Sequence, residues 1–184
     1  TAASEALVIV DDVETIALSS SVATADSVLD LSADSVTSVS VAGAADLELS
    51  TDSTVLTAVN ATSMTGALIY TTNSGVAVTV TGGSGADELT AAGDDDVLNG
   101  GTGADTLTVE AGADLVQLYG GAGNDTFVID GASANLNSLA VIKDLASGDN
   151  IMVTQGVAFK QSAVTLDQDG NPNLVPDRSR FAPA

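Results

Sequence analysis

Apolar residues in this chain recur in short alternating runs, not at helical spacing. Leu29/Leu31, Val39/Val41, Leu47/Leu49, Leu68/Tyr70 and Val78/Val80 follow one another at intervals of about ten residues, with Val59 between them. Each pair sits in a run such as SVSV, DLEL or VTVT, the period-two signature of a strand with one buried face. Ser, Thr, Ala, Asp and Gly fill the stretches between. From Gly82 the rhythm tightens to nine: GGSGADELT (82–90), AAGDDDVLN (91–99), GGTGADTLT (100–108), VEAGADLVQ (109–117) and, after two extra residues Leu118 and Tyr119, GGAGNDTFV (120–128). The sixth position is always Asp (Asp87, Asp96, Asp105, Asp114, Asp125), and the eighth is always apolar (Leu89, Leu98, Leu107, Val116, Phe127).

Such a period predicts an all-β chain wound as a right-handed parallel β-roll or β-helix solenoid, with about 9–10 residues per half-coil. Coils without the Gly–Asp pattern are expected over 13–81 and coils with it over 82–130. Residues 1–12 are left as a leader. Beyond 130 the rhythm fails: LNSLAVIKDLASGDNIMV (136–153) is irregular, and AVTLDQDGNPNLV (163–175) reads as a hairpin turning at Asp169-Gly170-Asn171. A solenoid needs an atypical unit over its last coil, so 131–175 is assigned to a C-terminal cap and 176–184 to a tail.

Charge sharpens this picture. The chain has 25 acidic residues against 4 basic ones, and Lys143, Lys160, Arg178 and Arg180 all lie in the last quarter. Nucleic acid is excluded as a partner, because phosphate contacts need Lys and Arg clusters. Over residues 1–142 no carboxylate has a cationic side chain to pair with, so carboxylates there face water, protonate or hold cations. The apolar fraction of 45% argues against disorder. With no Cys and no His, disulfides, zinc–thiolate sites and Ser-His or Cys-His catalysis are out. No apolar stretch reaches membrane-spanning length, so no membrane insertion is expected. The chain opens at Thr1 with no signal-peptide pattern, and its N-terminus is silent about export.

If two nine-residue units close one coil, the turns stack as the strands do, about 4.7–4.9 Å apart. Asp87 then lies next to Asp105, and Asp96 next to Asp114. Asp105 meets Asp125 provided the insertion at Leu118 and Tyr119 bulges outward. Bare carboxylates so placed repel by roughly 1–4 kcal/mol per pair, and a hard cation between them reverses the sign. Calcium suits the arrangement: it takes six to eight oxygens with loose angular demands, and backbone carbonyls of glycine-rich turns can complete the shell. Magnesium demands a tighter octahedron, while zinc and copper want the His and Cys that are missing.

The units GGSGADELT, GGTGADTLT and GGAGNDTFV resemble the GGxGxDxUx nonapeptide of the RTX repeat family, and VIKDLASGDNI (141–151) is similar to the segment that commonly follows such repeats. The resemblance implies a parallel β-roll with Ca²⁺ between stacked turns, type I secretion and folding outside the cell. It also implies a ligand pattern: positions one, three and six of one unit with two, four and six of the unit a coil later. That pattern assigns Gly82, Ser84 and Asp87 with Gly101, Gly103 and Asp105. It gives a second set of Ala91, Gly93 and Asp96 with Glu110, Gly112 and Asp114, and a third of Gly100, Thr102 and Asp105 with Gly121, Gly123 and Asp125. Ala91, Ala92, Asp94, Val109, Glu110 and Ala111 depart from the glycine pattern, which weakens the second set, while Asp94 and Asp95 offer extra ligands. Asp130, Asp144 and Asp149 are candidates for a closing site beside the cap.

Asp11, Asp12, Asp26, Asp34, Asp46 and Asp52 have no evident ladder partner and read as solvated surface, as do the four basic residues. No base accompanies the abundant Ser and Thr, so the chain is read as no enzyme. The functional expectation is a calcium-binding structural roll of a secreted, surface-layer-like protein, self-assembling at the cell surface. The alternatives are the calcium-dependent secretion and folding module of a larger exoenzyme, or an adhesin segment.

Overall fold

A computed structural model describes residues 4–21, 27–130, 140–154, 164–166 and 172–174. The strands are β1 (Ser4–Ile9), β2 (Thr15–Ser20), β3 (Ser27–Ser32), β4 (Ser38–Gly43), β5 (Leu47–Thr51), β6 (Ala58–Met64), β7 (Leu68–Thr71), β8 (Thr79–Thr81), β9 (Glu88–Ala91), β10 (Val97–Gly103), β11 (Thr106–Val109), β12 (Gln117–Gly123), β13 (Thr126–Ile129), β14 (Val141–Ile142) and β15 (Asn150–Val153). Odd-numbered strands stack in one parallel sheet and even-numbered strands in another. The chain therefore steps from sheet to sheet at every turn and winds a β-solenoid of about seven turns. Among the described residues there is no helix.

Side-chain alternation explains the two sheets. In β5 and β7 every second residue is buried and the residues between are exposed. The inward columns are Leu49, Tyr70, Leu89, Leu107 and Phe127 on one sheet and Val39, Val59, Val80, Leu98 and Leu118 on the other. All ten are buried. Two sheets of small and medium side chains fill a thin core, and each Leu or Val so buried contributes about 1.5–3 kcal/mol. Parallel pairing supplies the rest, because each backbone amide bonds to the coil above or below.

Coil length is less regular than the nine-residue count predicts. Glu88 pairs with Thr106, a step of 18, but Thr126 pairs with Asn150, a step of 24. The turns absorb the difference, since register is fixed by which side chains point inward and not by residue count. The expected outward bulge at Leu118 and Tyr119 is therefore corrected: Leu118 pairs with Leu98 and is fully buried, and Tyr119 pairs with Asn99. The two extra residues lie in the preceding turn, between β11 and β12. Val116, counted as a strand core residue, is buried in that turn.

Residues 4–9, left to a leader by the sequence reading, form β1 and pair in parallel with β3. In the cap, β16 (Val164–Leu166) and β17 (Pro172–Leu174) pair antiparallel. Their connecting turn at Asp169-Gly170-Asn171, Lys160 and the tail 176–184 lie outside the described residues.

The register yields a prediction. Leu118→Ala should destabilise the fold by about 2–5 kcal/mol, the usual range for a buried Leu truncation, whereas Tyr119→Ala should cost under half as much. Thermal melts that ranked the two the other way round would restore the outward bulge.

Candidate calcium centre

The turns that follow the even-numbered strands form one long edge of the roll. In register along it stand Leu47, Leu68, Asp87, Asp105 and Asp125, all buried, and then half-buried Asp149. The column thus changes from leucine to aspartate where the glycine-rich units begin. Each aspartate reaches toward the preceding coil and accepts its backbone N–H. Leu68 donates to Asp87 Oδ1 at 2.6 Å, Asp87 to Asp105 Oδ1 at 2.8 Å, Asp105 to Asp125 Oδ1 at 3.0 Å and Asp125 to Asp149 Oδ1 at 3.0 Å. One oxygen of each carboxylate is so committed, which pins the side chains in a row.

The second oxygens decide the chemistry. Asp87 Oδ2 accepts the Gly83 N–H at 2.7 Å. Asp105 Oδ2 is buried and has no hydrogen-bond partner, although burying a polar group without one costs free energy. A carbonyl lies close by: a Cβ built on Gly100 would collide with Asp105 Oδ2 and with the Gly120 carbonyl oxygen of the next coil. The pattern repeats at Gly82, whose Cβ would strike Asp87 Oδ2 and the Gly100 carbonyl oxygen. Carboxylate and carbonyl oxygens border space that only glycine leaves open, and at Asp105, where the carboxylate oxygen has no donor, a cation can be the missing partner. Gly103 (φ +142°) and Gly123 (φ +150°) hold the turn in a conformation closed to other residues, each with its Cα against the carbonyl of the glycine one coil earlier. Among the described residues no three acidic side chains cluster, so a shell here consists of one or two carboxylates completed by carbonyls, within the habits of Ca²⁺.

Electrostatics point the same way. Burial pushes the Asp105 carboxyl up to about 6; the charges of Asp87 and Asp125 add to this, and the Asp87 N–H opposes it. Burial also raises Asp87, against hydrogen bonds from Leu68 and Gly83 and with the charge of Asp46 adding to the rise.

The structure stacks the first and third predicted sets. Gly82, Ser84 and Asp87 lie beneath Gly101, Gly103 and Asp105, with the Thr102 N–H donating to the Gly83 carbonyl. Gly100, Thr102 and Asp105 lie beneath Gly121, Gly123 and Asp125, and Gly101 and Gly103 pair directly with Gly121 and Gly123.

The second set, on the opposite edge, comes apart. Ala91 and Glu110 are joined, through the Glu110 N–H to the Ala91 carbonyl. Asp96, however, stands level with Val78 and Val116, not with Asp114. Asp114 instead donates its N–H to Asp94 Oδ1 at 2.9 Å, and the left-handed residues Asp95 (φ 59°) and Leu115 (φ 60°) mark the shared register. Gly93 lies beside Asp96, donating to its Oδ2 at 3.1 Å, while a Cβ on Gly112 would meet nothing within 4 Å. Asp114 keeps one buried oxygen without a hydrogen-bond partner.

At the closing coil, Asp144 accepts the N–H groups of Gly120 and Gly121, both at 2.9 Å, where sheet pairing ends after the two-residue β14. Asp149, weighed only as one of three closing candidates, continues the aspartate column; its signal is the Gly148-Asp149 pair just before the apolar run of β15. Asp130 accepts the Thr154 hydroxyl at 2.9 Å. Two residues read as bare surface have partners. Asp52 accepts the Ala33 N–H and the Ser32 hydroxyl, which hold its carboxyl below the usual range, and Asp46 accepts the Ala67 N–H.

Stacked glycine turns with a buried aspartate column define a calcium-binding β-roll. Residues 81–116 and 108–131 match the family model of the RTX calcium-binding nonapeptide repeat. This stretch belongs to that family, and its repeats bind Ca²⁺. No curated protein and no solved structure matches the chain.

The raised carboxyls predict a pH dependence in chelator. A folded-state value above the unfolded one favours the acid form, so Asp105 stabilises the ion-free fold below about pH 4 and that stabilisation is lost as pH rises through about 6. The melting temperature in EGTA should therefore rise from pH 7.5 to pH 5. In saturating Ca²⁺, which needs the ionised form, it should not. Asp105→Asn should shrink the rise in EGTA and Asp87→Asn/Asp105→Asn should remove it; a full rise in the double variant would assign the effect elsewhere.

Proposed function

We propose that this chain is a structural calcium-binding roll of a secreted cell-surface protein of surface-layer type, whose folding is completed by extracellular Ca²⁺. The observation that carries the reading is the buried aspartate column with the partnerless Asp105 Oδ2 facing the Gly120 carbonyl. The ions are held between turns, by Gly82, Ser84 and Asp87 with Gly101, Gly103 and Asp105, and by Gly100, Thr102 and Asp105 with Gly121, Gly123 and Asp125. Bound there, Ca²⁺ neutralises charges that the sequence gives no cationic side chain to balance.

Binding and folding are then one process, because the ligands belong to different coils and converge only when those coils stack. At low calcium the carboxylate rows repel, which keeps repeats that lack other partners open for export. Extracellular calcium modules work at roughly 10⁻⁴–10⁻³ M, a range that separates the two compartments. A chain without His or Cys, in which glycine, serine and threonine serve turns and strands, suits a scaffold better than a catalyst. An acidic surface adds a route to assembly, since the same cation can join carboxylates of neighbouring molecules.

The test is circular dichroism and light scattering on the full chain in EGTA, Mg²⁺ and Ca²⁺. Calcium, not magnesium, should raise the strand signal and the melting temperature; each site at a hundredfold excess over its Kd adds about 2.7 kcal/mol. Calcium should also produce large assemblies that chelator dissolves. A strand signal and melt indifferent to EGTA would remove coupled folding, and calcium-bound monomers at all concentrations would remove the surface-lattice role.

A further inference from the structure

We infer that calcium dependence begins one coil later than the repeats do: residues 82–99 are fastened to the calcium-independent coils by a metal-free seam, and the ions, the first of them on the far side of this coil between residues 82–87 and 101–105, are needed only to add the coils from Gly100 onward. The inference rests on the calcium reading above.

The glycine-rich pattern starts at Gly82, and sequence alone places the boundary there. The hydrogen bonds place it elsewhere. On the Gly–Asp edge, both oxygens of Asp87 are used within the protein, one by the Leu68 N–H of the preceding coil and one by the Gly83 N–H of its own turn. On the opposite edge Asp96, fully buried, is satisfied three times over. It accepts the Val78 N–H at 2.8 Å, the Thr72 hydroxyl at 2.6 Å and the Gly93 N–H at 3.1 Å. Thr72, buried just past the end of β7, also accepts the Ala92 N–H at 2.9 Å, and its own N–H donates to the Thr90 carbonyl at 2.9 Å. One threonine thus binds the coil above it by three hydrogen bonds.

The contrast with the next level is sharp. Asp105 has a buried oxygen with no partner, and on the opposite edge the place of Asp96 is taken by Val116. Below the seam the column is Leu47 and Leu68, so those coils close by apolar packing and hold no buried carboxylate in that column. Donors on both oxygens offset part of the cost of burying a carboxylate without an ion. Asp105, with the Asp87 N–H on one oxygen and nothing on the other, lacks half of that offset. The first repeat coil therefore belongs energetically to the half before it, and it presents β9 and the start of β10 (97–99) as the base on which later coils are wound when calcium arrives.

Asp96 acts here as a positioning residue, holding two coils together without touching an ion. The experiment is hydrogen exchange on the full chain, in EGTA and in Ca²⁺. In EGTA, β9 amides should be as protected as those of β5 and β7, while β11 and β13 exchange at least about tenfold faster and slow again on adding Ca²⁺. Asp96→Asn, and separately Thr72→Val, should move β9 into the fast class in EGTA without changing the number of ions bound. Exchange of β9 together with β11 in EGTA, or loss of an ion in Asp96→Asn, would overturn the seam. Should β11 and β13 stay protected in EGTA, the calcium reading itself fails, a pattern distinct from either of the others.

Discussion

Stacking turns at the spacing of a parallel sheet forces the same kind of oxygen onto every level of one edge of this roll. Glycines at the turn positions bring the coils so close that carbonyls of one level and carboxylates of another share the same space, and at Asp105 no proton donor is left to separate them. The demand for a divalent, oxygen-preferring cation follows from that crowding. The absence of basic side chains before Lys143 is its counterpart in the sequence: an Arg or Lys nearby would satisfy the carboxylates and remove the need for an ion.

The two halves of the solenoid solve one geometric problem in two ways. Every coil must fill the inside of its turn. Leu47 and Leu68 do so with apolar bulk, stabilised by burial and independent of solvent composition. Asp87, Asp105, Asp125 and Asp149 occupy the same column with charge, stable only when partnered. Replacing leucine by aspartate along one column thus exchanges apolar filling for carboxylates that need partners, supplied at Asp87 by N–H groups and lacking at Asp105 Oδ2. At the closing segment Asp144 caps the Gly120 and Gly121 amides, which lie beyond the reach of the two-residue strand β14, and so blunts the sheet edge.

Much of this is legible in the sequence, and the failures have physical causes. The alternating apolar pairs from Leu29 to Val80 announce inward-facing strand residues, and the Gly–Asp period announces stacked turns. Counting by nines then misplaces Leu118 and pairs Asp96 with Asp114. Both Val116 and Leu118 are apolar, and only the packing of the Leu98 column shows which of them is in the strand. The role of Asp96 was out of reach because its hydroxyl donor, Thr72, lies 24 residues away in sequence. Asp149 is hard to see in the sequence because a long final turn puts it out of the nine-residue frame, and β1 because SEALVI alternates too briefly to stand out from a leader.

The central claim is an ion at a named place, and a crystal of the calcium-bound protein measured with anomalous scattering tests it most directly. The account predicts a calcium signal on the Gly–Asp edge, coordinated at about 2.3–2.6 Å by Asp105 Oδ2 and by carbonyls of the adjoining turns. An ordered edge with water or nothing at Asp105 Oδ2, and calcium elsewhere, would contradict it.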